Sequence, residues 1–279
     1  MFDIMTQDAD RWAFPVEMQP VFNQDGQEIE GTSCIRRTDT GNVLGVHGSR
    51  YKLVSNEEIV SKVMDAVDDA NLSRDYETKF YVTEGGRKLR GEVLFNDLTV
   101  QPDVGDYVKF RVSFFNSYDG SWSFQANAEG LRLWCLNGCT TPDAVTRTKL
   151  RHTQQISVEG TASKIALGLD AFMQSPDMWN HWRTHRIETG HAEQFFKKTL
   201  AKQYSRQANH NKTNERQLEN LLSIWSNEVR QLGQNKWALY NAMTYWASHT
   251  ESAKNPEVTR RNREDMVARA MQSKVWEEV

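Results

Sequence analysis

A predicted β-hairpin at residues 114–124 constrains the fold of this chain more than any other segment. Asp119 is followed by Gly120, and glycine adopts the positive φ that a tight turn requires without steric cost. Before the turn, apolar residues recur at every second position, which is the period of a β-strand: Val108, Phe110, Val112 and Phe114. The residues between them belong to the opposite face and are basic or polar: Lys109, Arg111 and Ser113. We therefore predict an antiparallel hairpin with one apolar face and one cationic face.

Aromatic residues near the turn indicate what the cationic face would bind. Phe115, Tyr118 and Trp122 lie in or beside the predicted turn. A basic sheet face with nearby aromatic rings suits single-stranded nucleic acid, because phosphates contact Lys and Arg while bases stack on rings. The alternative is a solvent-exposed outer face, since antiparallel sheets commonly have charged residues on their open side.

Two further segments extend the basic pattern. A second hairpin is predicted around Gly85-Gly86, and its returning strand places Lys88 and Arg90 on one face. A later extended segment has basic residues at every second position. If these strands pair with their basic faces aligned, they form one groove. The predicted groove residues are Arg87, Lys88, Arg90, Lys109, Arg111, Arg147, Lys149 and Arg151, with Phe115, Tyr118 and Trp122 as stacking residues.

The order of the remaining patterns predicts an α+β fold. Ser55 and Glu58 form a capping box at the start of a helix. Strands are expected at residues 34–38, 42–46, 79–83 and 88–95, and helices at 163–173, 192–204, 215–232, 237–248 and 256–276. We predict an antiparallel hairpin sheet packed with an N-terminal helix and followed by a helical C-terminal region. The expected domains are an acidic irregular arm (1–30), a hairpin-rich core (31–142) and a helical region packing on it (143–279).

Charge is divided unevenly along the 279 residues, although the net charge is only −3. Residues 145–279 contain 20 Lys and Arg against 14 Asp and Glu, a balance of +6, which leaves −9 for residues 1–144. This split predicts a polyanionic partner for the second half, or contact between oppositely charged faces of neighbouring subunits. Aromatic residues on the predicted helices favour a homo-oligomer, either a ring or a filament: Trp225, Trp237, Tyr240, Trp246 and Trp276.

Compartment signals favour the cytoplasm. No apolar run approaches the roughly 20 residues of a membrane span. The first ten residues contain three Asp and no basic segment, so no signal peptide is expected. The chain contains three cysteines, Cys34, Cys135 and Cys139. An odd number cannot all pair in disulfides within one chain, which fits a reducing compartment.

Motifs for catalysis are incomplete. One histidine group has the spacing found in metzincin zinc proteases: His181, His185 and His191. Trp182 replaces the glutamate that must follow the first histidine as general base, so a basic surface patch is expected there instead of a metal site. Cys135 and Cys139 form only one of the two pairs that a zinc ribbon needs. Without a nucleophile elbow or a P-loop, we predict no catalytic residue, no cofactor, no metal and no use of ATP.

Five motifs resemble a phage- and plasmid-encoded family known only as domain of unknown function 932. They are GSRYKLVSNEE at 48–58, the hairpin at Gly85-Gly86, NSYDGS at 116–121, LWCLN at 133–137 and KWALYNAMT at 236–244. The resemblance covers about residues 44–250. Members usually have histidine after serine in the turn, where this chain has Tyr118.

The family implies a mobile genetic element and therefore the cytoplasm of a bacterial host, but no reaction. The element order is also similar to the core of single-strand annealing proteins of the Rad and Redβ type, which bind DNA in a basic groove and form rings or filaments. We predict a non-enzymatic phage protein that binds single-stranded DNA and anneals strands as an oligomer, with a phage exonuclease or a host protein as further candidate partners. The alternative is a host-takeover protein that binds a bacterial protein through its acidic surface.

Overall fold

Strands form most of the first half of the chain and helices most of the second, so the predicted α+β fold is confirmed. The computed structural model describes residues 12–103, 106–132, 137–139, 147–150, 158–205, 210–251 and 253–279.

A three-stranded antiparallel sheet with the order β1-β2-β3 begins the described chain. Its strands are β1 (Val16–Phe22), β2 (Glu28–Arg37) and β3 (Val43–Gly48). The prediction of an irregular arm over 1–30 is wrong for β1, because pairing with β2 satisfies the backbone groups of this segment. Pro20 is tolerated since β1 is an edge strand, where a residue without an N–H breaks no ladder.

In sequence, one helix, α1 (Asn56–Asp69), lies between the strands of this sheet and those of a larger sheet. Its predicted cap is confirmed, because Ser55 Oγ accepts a hydrogen bond of 3.0 Å from the backbone N–H of Glu58. The larger sheet has the order β4-β5-β6-β7-β8, and β9 also pairs with β7. Its strands are β4 (Tyr76–Thr83), β5 (Lys88–Asp103), β6 (Asp106–Ser117), β7 (Phe124–Arg132), β8 (Asn137–Cys139) and β9 (Arg147–Leu150).

The apolar face predicted for the hairpin is confirmed. Four alternating residues of β6 are fully buried: Val108, Phe110, Val112 and Phe114. Gly91 on β5 lies against the ring of Phe114, where even a methyl group would clash. Alternation of apolar residues therefore identified the core side of this strand correctly.

Six helices and a short two-stranded sheet complete the described elements. The helices are α2 (Val158–Thr184), α3 (Thr189–Lys198), α4 (Glu215–Leu232), α5 (Lys236–Ser248), α6 (Pro256–Met271) and α7 (Lys274–Glu277). The helix predicted at 192–204 ends at Lys198, because the next residues pair as β10 (Lys202–Ser205) with β11 (His210–Thr213). None of the helices in the described ranges is long and apolar enough to cross a bilayer.

The chain forms two compact units. The first contains Met1–Leu98, Phe110–Glu129 and Asp143–Asp170, and the second contains Thr99–Lys109, Gly130–Pro142 and Ala171–Val279. The units therefore interleave along the sequence, whereas the sequence pattern predicts one boundary near residue 142.

An aromatic core holds the helices of the second unit together. The ring of Trp182 lies 5.2 Å from those of Tyr240 and Trp276, and Trp179 lies 5.3 Å from Trp237. The aromatic residues that the sequence suggested as subunit surface are at most 6% exposed: Trp225, Trp237, Tyr240, Trp246 and Trp276. That suggestion is wrong, because helical periodicity shows which side chains share a face but not whether the same chain covers it.

Candidate nucleic-acid interface

Strand register places the predicted basic positions of the first unit on one face of the large sheet. Directly paired residues of neighbouring strands belong to the same face. Arg90 pairs with Tyr81 of β4, and Glu92 pairs with Lys79. At the other side of the sheet, Asn127 pairs with Arg147 and Gln125 with Lys149. We name the set of these positions the mixed-charge face: Glu77, Lys79, Tyr81, Lys88, Arg90, Glu92, Arg111, Ser113, Gln125, Asn127, Glu129, Arg147 and Lys149.

Arginines and glutamates alternate across the centre of this face. Arg90 Nη2 lies 2.7 Å from Glu92 Oε1, and the same oxygen lies 3.2 Å from Arg111 Nη1. Arg111 Nη2 then lies 2.7 Å from Glu129 Oε1, which joins β5, β6 and β7. Both arginine side chains are only 1% exposed. The prediction that Arg90 and Arg111 line an open groove is therefore wrong, because both are buried in ion pairs within the sheet.

Lys88 is also buried and lies beside the hairpin turn. Its Nζ is 3.0 Å from Asp119 Oδ2 and 5.6 Å from the ring centroid of Trp122. Gly120 adopts φ +70°, as the predicted turn requires, and the N–H of Ser121 donates to Asp119 Oδ1. Burial alone would raise the pKa of Asp119. The hydrogen bonds from Ser121 and the pairing with Lys88 outweigh burial, so this pKa lies below its ordinary value.

We expect Asp119→Asn to lower the free energy of unfolding at pH 7 by about 1–3 kcal/mol, since it removes a charge-assisted hydrogen bond near a buried ammonium. The lowered folded-state pKa means that the carboxylate stabilises the fold above its unfolded pKa of about 3.9. This contribution is lost as the pH falls through the folded pKa. Urea denaturation at pH 7 and pH 3 measures the change, and the exposed Asp25→Asn is the control. An equal destabilisation at both pH values would contradict this account.

The three aromatic residues predicted to stack on bases are core residues. Exposure is 1% for Phe115, 0% for Tyr118 and 6% for Trp122. The rings of Phe115 and Trp122 pack edge to face at 5.8 Å. Tyr118 Oη accepts a hydrogen bond of 2.7 Å from the backbone N–H of Asn56, and burial raises the pKa of this phenol. The stacking prediction is therefore wrong for the folded chain: Tyr118 joins the hairpin tip to α1, and Phe115 and Trp122 pack against each other.

The remaining predicted cations differ in accessibility. Arg87 is exposed in the turn directly before β5, and Lys109 is half-buried on β6. Arg147 and Lys149 are placed on the mixed-charge face by the backbone of β9. Arg151 lies outside the described residues.

Sequence reasoning missed one cation and the acidic members of the face. Lys79 of β4 lies opposite Glu92 of β5, and its side chain is 37% exposed. Glu92 follows Lys88 and Arg90 at the same two-residue spacing, so the sequence itself indicated an acidic residue on this face. Glu129 had no such signal, because its place beside Arg111 depends on the pairing of β6 with β7.

Positive charge exceeds negative charge on the mixed-charge face. Six positions are cationic, and four carboxylates are present when Asp119 is counted with Glu77, Glu92 and Glu129, which leaves +2. The whole chain has a net charge of −3. Within the first unit, the buried centre is neutralised by its own glutamates. Arg87 is exposed, and Lys79, 37% exposed, lies 3.5 Å from Glu77.

The histidine group of the second unit is exposed. His181 and His185 lie one turn apart near the end of α2, with ring centroids 6.3 Å apart, and His191 lies on α3. Within the described part of the chain, no group of three or more His, Cys, Asp or Glu is arranged to hold a metal ion.

Comparisons with known proteins identify a family and no function. The family model described as domain of unknown function (DUF932) matches residues 43–271, well over half of the chain. No curated protein and no solved structure matches the chain.

Proposed function

The chain belongs to the family described as domain of unknown function (DUF932), and this description names no activity. We therefore propose a function from the residues of the chain itself: the protein binds single-stranded DNA on the mixed-charge face. The strand would run along β9 and the neighbouring cations of the first unit. The binding requires no nucleotide hydrolysis, since the chain has no P-loop.

The observation behind this proposal is the register of β9 on β7. It sets two cationic positions, Arg147 and Lys149, opposite the amide residues Asn127 and Gln125. Gln125 Nε2 donates 2.8 Å to Asn127 Oδ1, so the amides form a connected pair. Lys and Arg neutralise phosphates, and amides hydrogen-bond to phosphate or base edges. Gln125 is only 1% exposed, so Asn127, which is half-buried, is the amide of this pair that a nucleic acid would contact beside the two cationic positions.

Arg90 and Arg111 take a positioning role in this proposal. Their ion pairs with Glu92 and Glu129 fix the register of three strands and so align the neighbouring cationic positions. Phe115, Tyr118 and Trp122 are excluded from base stacking by their burial. We therefore propose that the protein contacts the phosphate backbone, with little preference for base sequence and a steep dependence on salt.

Annealing by an oligomer is the second element of the proposal. The balance of −9 in residues 1–144 and +6 in residues 145–279 favours contact between unlike faces of neighbouring subunits. Heterologous contacts generate rings or open filaments. Such an assembly would hold many nucleotides with their bases accessible to a complementary strand. In a bacterial cytoplasm, as the family resemblance implies, it would act on DNA of a mobile element.

The test is a titration of labelled single-stranded oligonucleotides at several salt concentrations. Arg147→Ala/Lys149→Ala should weaken binding to all sequences alike and reduce the log–log salt slope by about 1.4, or roughly 0.7 for each phosphate that is no longer neutralised. Lys254→Ala/Lys274→Ala, which removes two exposed lysines of the second unit, is the matched control. Light scattering should give a mass several times 32.2 kDa.

A wild-type protein that does not bind single strands at low salt would overturn the proposal. An Arg147/Lys149 variant that binds like the wild type would move the site away from β9. A monomer at micromolar concentration, with and without DNA, would remove the annealing element.

A further inference from the structure

The large sheet ends at β4, whose outer edge faces no other strand in the described part of the chain. On its inner side β4 pairs with β5 without a register shift, from Tyr76 opposite Phe95 to Thr83 opposite Lys88. An edge strand of this length presents a row of backbone N–H and C=O groups that can pair with another chain. Proline and β-bulges commonly prevent such pairing, and β4 contains neither.

Side chains along this edge are accessible on both faces of the strand. On the mixed-charge face, the side chain of Glu77 is 48% exposed and that of Lys79 is 37% exposed. Three residues of the opposite face are half-buried: Tyr76, Thr78 and Phe80. The ring of Phe80 stacks on that of Trp12 at 4.6 Å, and the residue remains partly accessible. A second strand at this edge would therefore contact charged side chains on one face and aromatic side chains on the other.

The sequence of β4 is self-complementary about Thr78. When two copies of the strand pair in antiparallel fashion with Thr78 opposite Thr78, each Glu77 lies opposite the Lys79 of the other copy. In the same register, each Tyr76 lies opposite a Phe80. Opposite charges, aromatic pairs and paired threonines are the cross-strand combinations that stabilise antiparallel sheets. Centring the pair on Glu77 or on Lys79 would instead place like charges opposite each other, so the sequence favours the register centred on Thr78.

We propose that two copies of this chain pair through β4 and form a dimer with one continuous sheet. The contact is isologous, because each copy contributes the same residues, and it closes at two copies. The strands are related by a twofold axis perpendicular to the sheet, so the mixed-charge faces of both copies lie on the same side. This interface goes beyond the proposed single-strand site, and it differs from the heterologous contacts proposed for a larger assembly.

Charge reversal tests the pairing in the full-length chain, which should have a mass of at least twice 32.2 kDa. Lys79→Glu places glutamates opposite glutamates, and Glu77→Lys places lysines opposite lysines. Either change should raise the dissociation constant of the dimer roughly tenfold or more, because like charges directly opposite each other are destabilising. Sedimentation equilibrium over a concentration series without DNA measures this constant, and circular dichroism checks folding. Lys62→Glu is the matched control, since it reverses the same charge in an ion pair on α1.

Mixing the two variants gives a result that a weakened fold cannot give. A chain with Lys79→Glu and a chain with Glu77→Lys have opposite charges at both pairs of positions. An equimolar mixture should therefore recover the wild-type dissociation constant as a heterodimer, although each variant alone is mainly monomeric. A mixture that stays monomeric would overturn the register centred on Thr78.

The remaining outcomes separate this inference from the proposed function. A wild-type oligomer whose mass is unchanged by both charge reversals overturns the β4 interface alone. A wild-type monomer at high micromolar concentration overturns the interface and the annealing assembly together, and the single-strand site on β9 is then tested by its own titration. Weakened DNA binding in the Arg147/Lys149 variant, with the dimer retained, supports an interface that is independent of that site.

Discussion

Arg111→Met is expected to lower the free energy of unfolding by about 3–5 kcal/mol, the usual effect of removing one partner of a buried ion pair. Arg111 is 1% exposed and contacts both Glu92, at 3.2 Å, and Glu129, at 2.7 Å. Methionine fills similar space but leaves the Glu129 carboxylate, 3% exposed, without its Arg111 partner, whereas Glu92 keeps Arg90 at 2.7 Å. Denaturant unfolding followed by tryptophan fluorescence measures the change.

Arg87→Met is the matched control, since it removes the same charge from an exposed position in the turn before β5, and should change stability by less than about 0.5 kcal/mol. Adding Glu129→Gln to the Arg111 variant should recover part of the stability, because it removes the buried carboxylate that has lost Arg111, while Glu92 keeps Arg90 at 2.7 Å. If Arg111→Met instead left stability unchanged and abolished DNA binding, Arg111 would be a surface residue, as the alternation of β6 alone suggested.

Gly91→Ala is expected to cost about 3 kcal/mol by overpacking the apolar face of the large sheet. A Cβ on Gly91 would lie far inside the van der Waals distance from Cζ of Phe114. Phe80 pairs with Gly91 on β4, and its ring lies 6.3 Å from that of Phe114, which limits how far Phe114 can move. Thermal and urea unfolding of the variant measure the effect.

A rescue variant makes this prediction specific. Phe114→Leu removes the ring that the added methyl group would strike, so the double variant should be more stable than the sum of the two single changes predicts. Gly190→Ala on α3 is the control, because its added Cβ meets open space and alanine is the better helix former. If Gly91→Ala and Gly190→Ala had equal effects, the close approach to Phe114 would be refuted.

Features that depend on neighbours along the chain could be predicted from sequence. The turn at Asp119-Gly120 forms with the expected positive φ, because glycine alone relieves the local steric conflict. The cap at Ser55 and the limits of α4 also follow from local signals, a side-chain acceptor and helical spacing of apolar residues. The apolar side of β6 is likewise set by its own alternation.

The candidate site depended on partners distant in sequence. Prediction of this site from the pattern of one β-strand at a time therefore failed. The alternation in β6 identified a basic row with Arg111 but could not show that Glu92 and Glu129 lie beside it. Pairing between β10 and β11 likewise ended a helix that local spacing would continue. The sequence by itself determined the fold class and the hairpin turn, because these follow from local conformational preference and periodicity. Only the tertiary structure decided which charges are neutralised and which remain accessible, because burial and ion pairing depend on strand order and register.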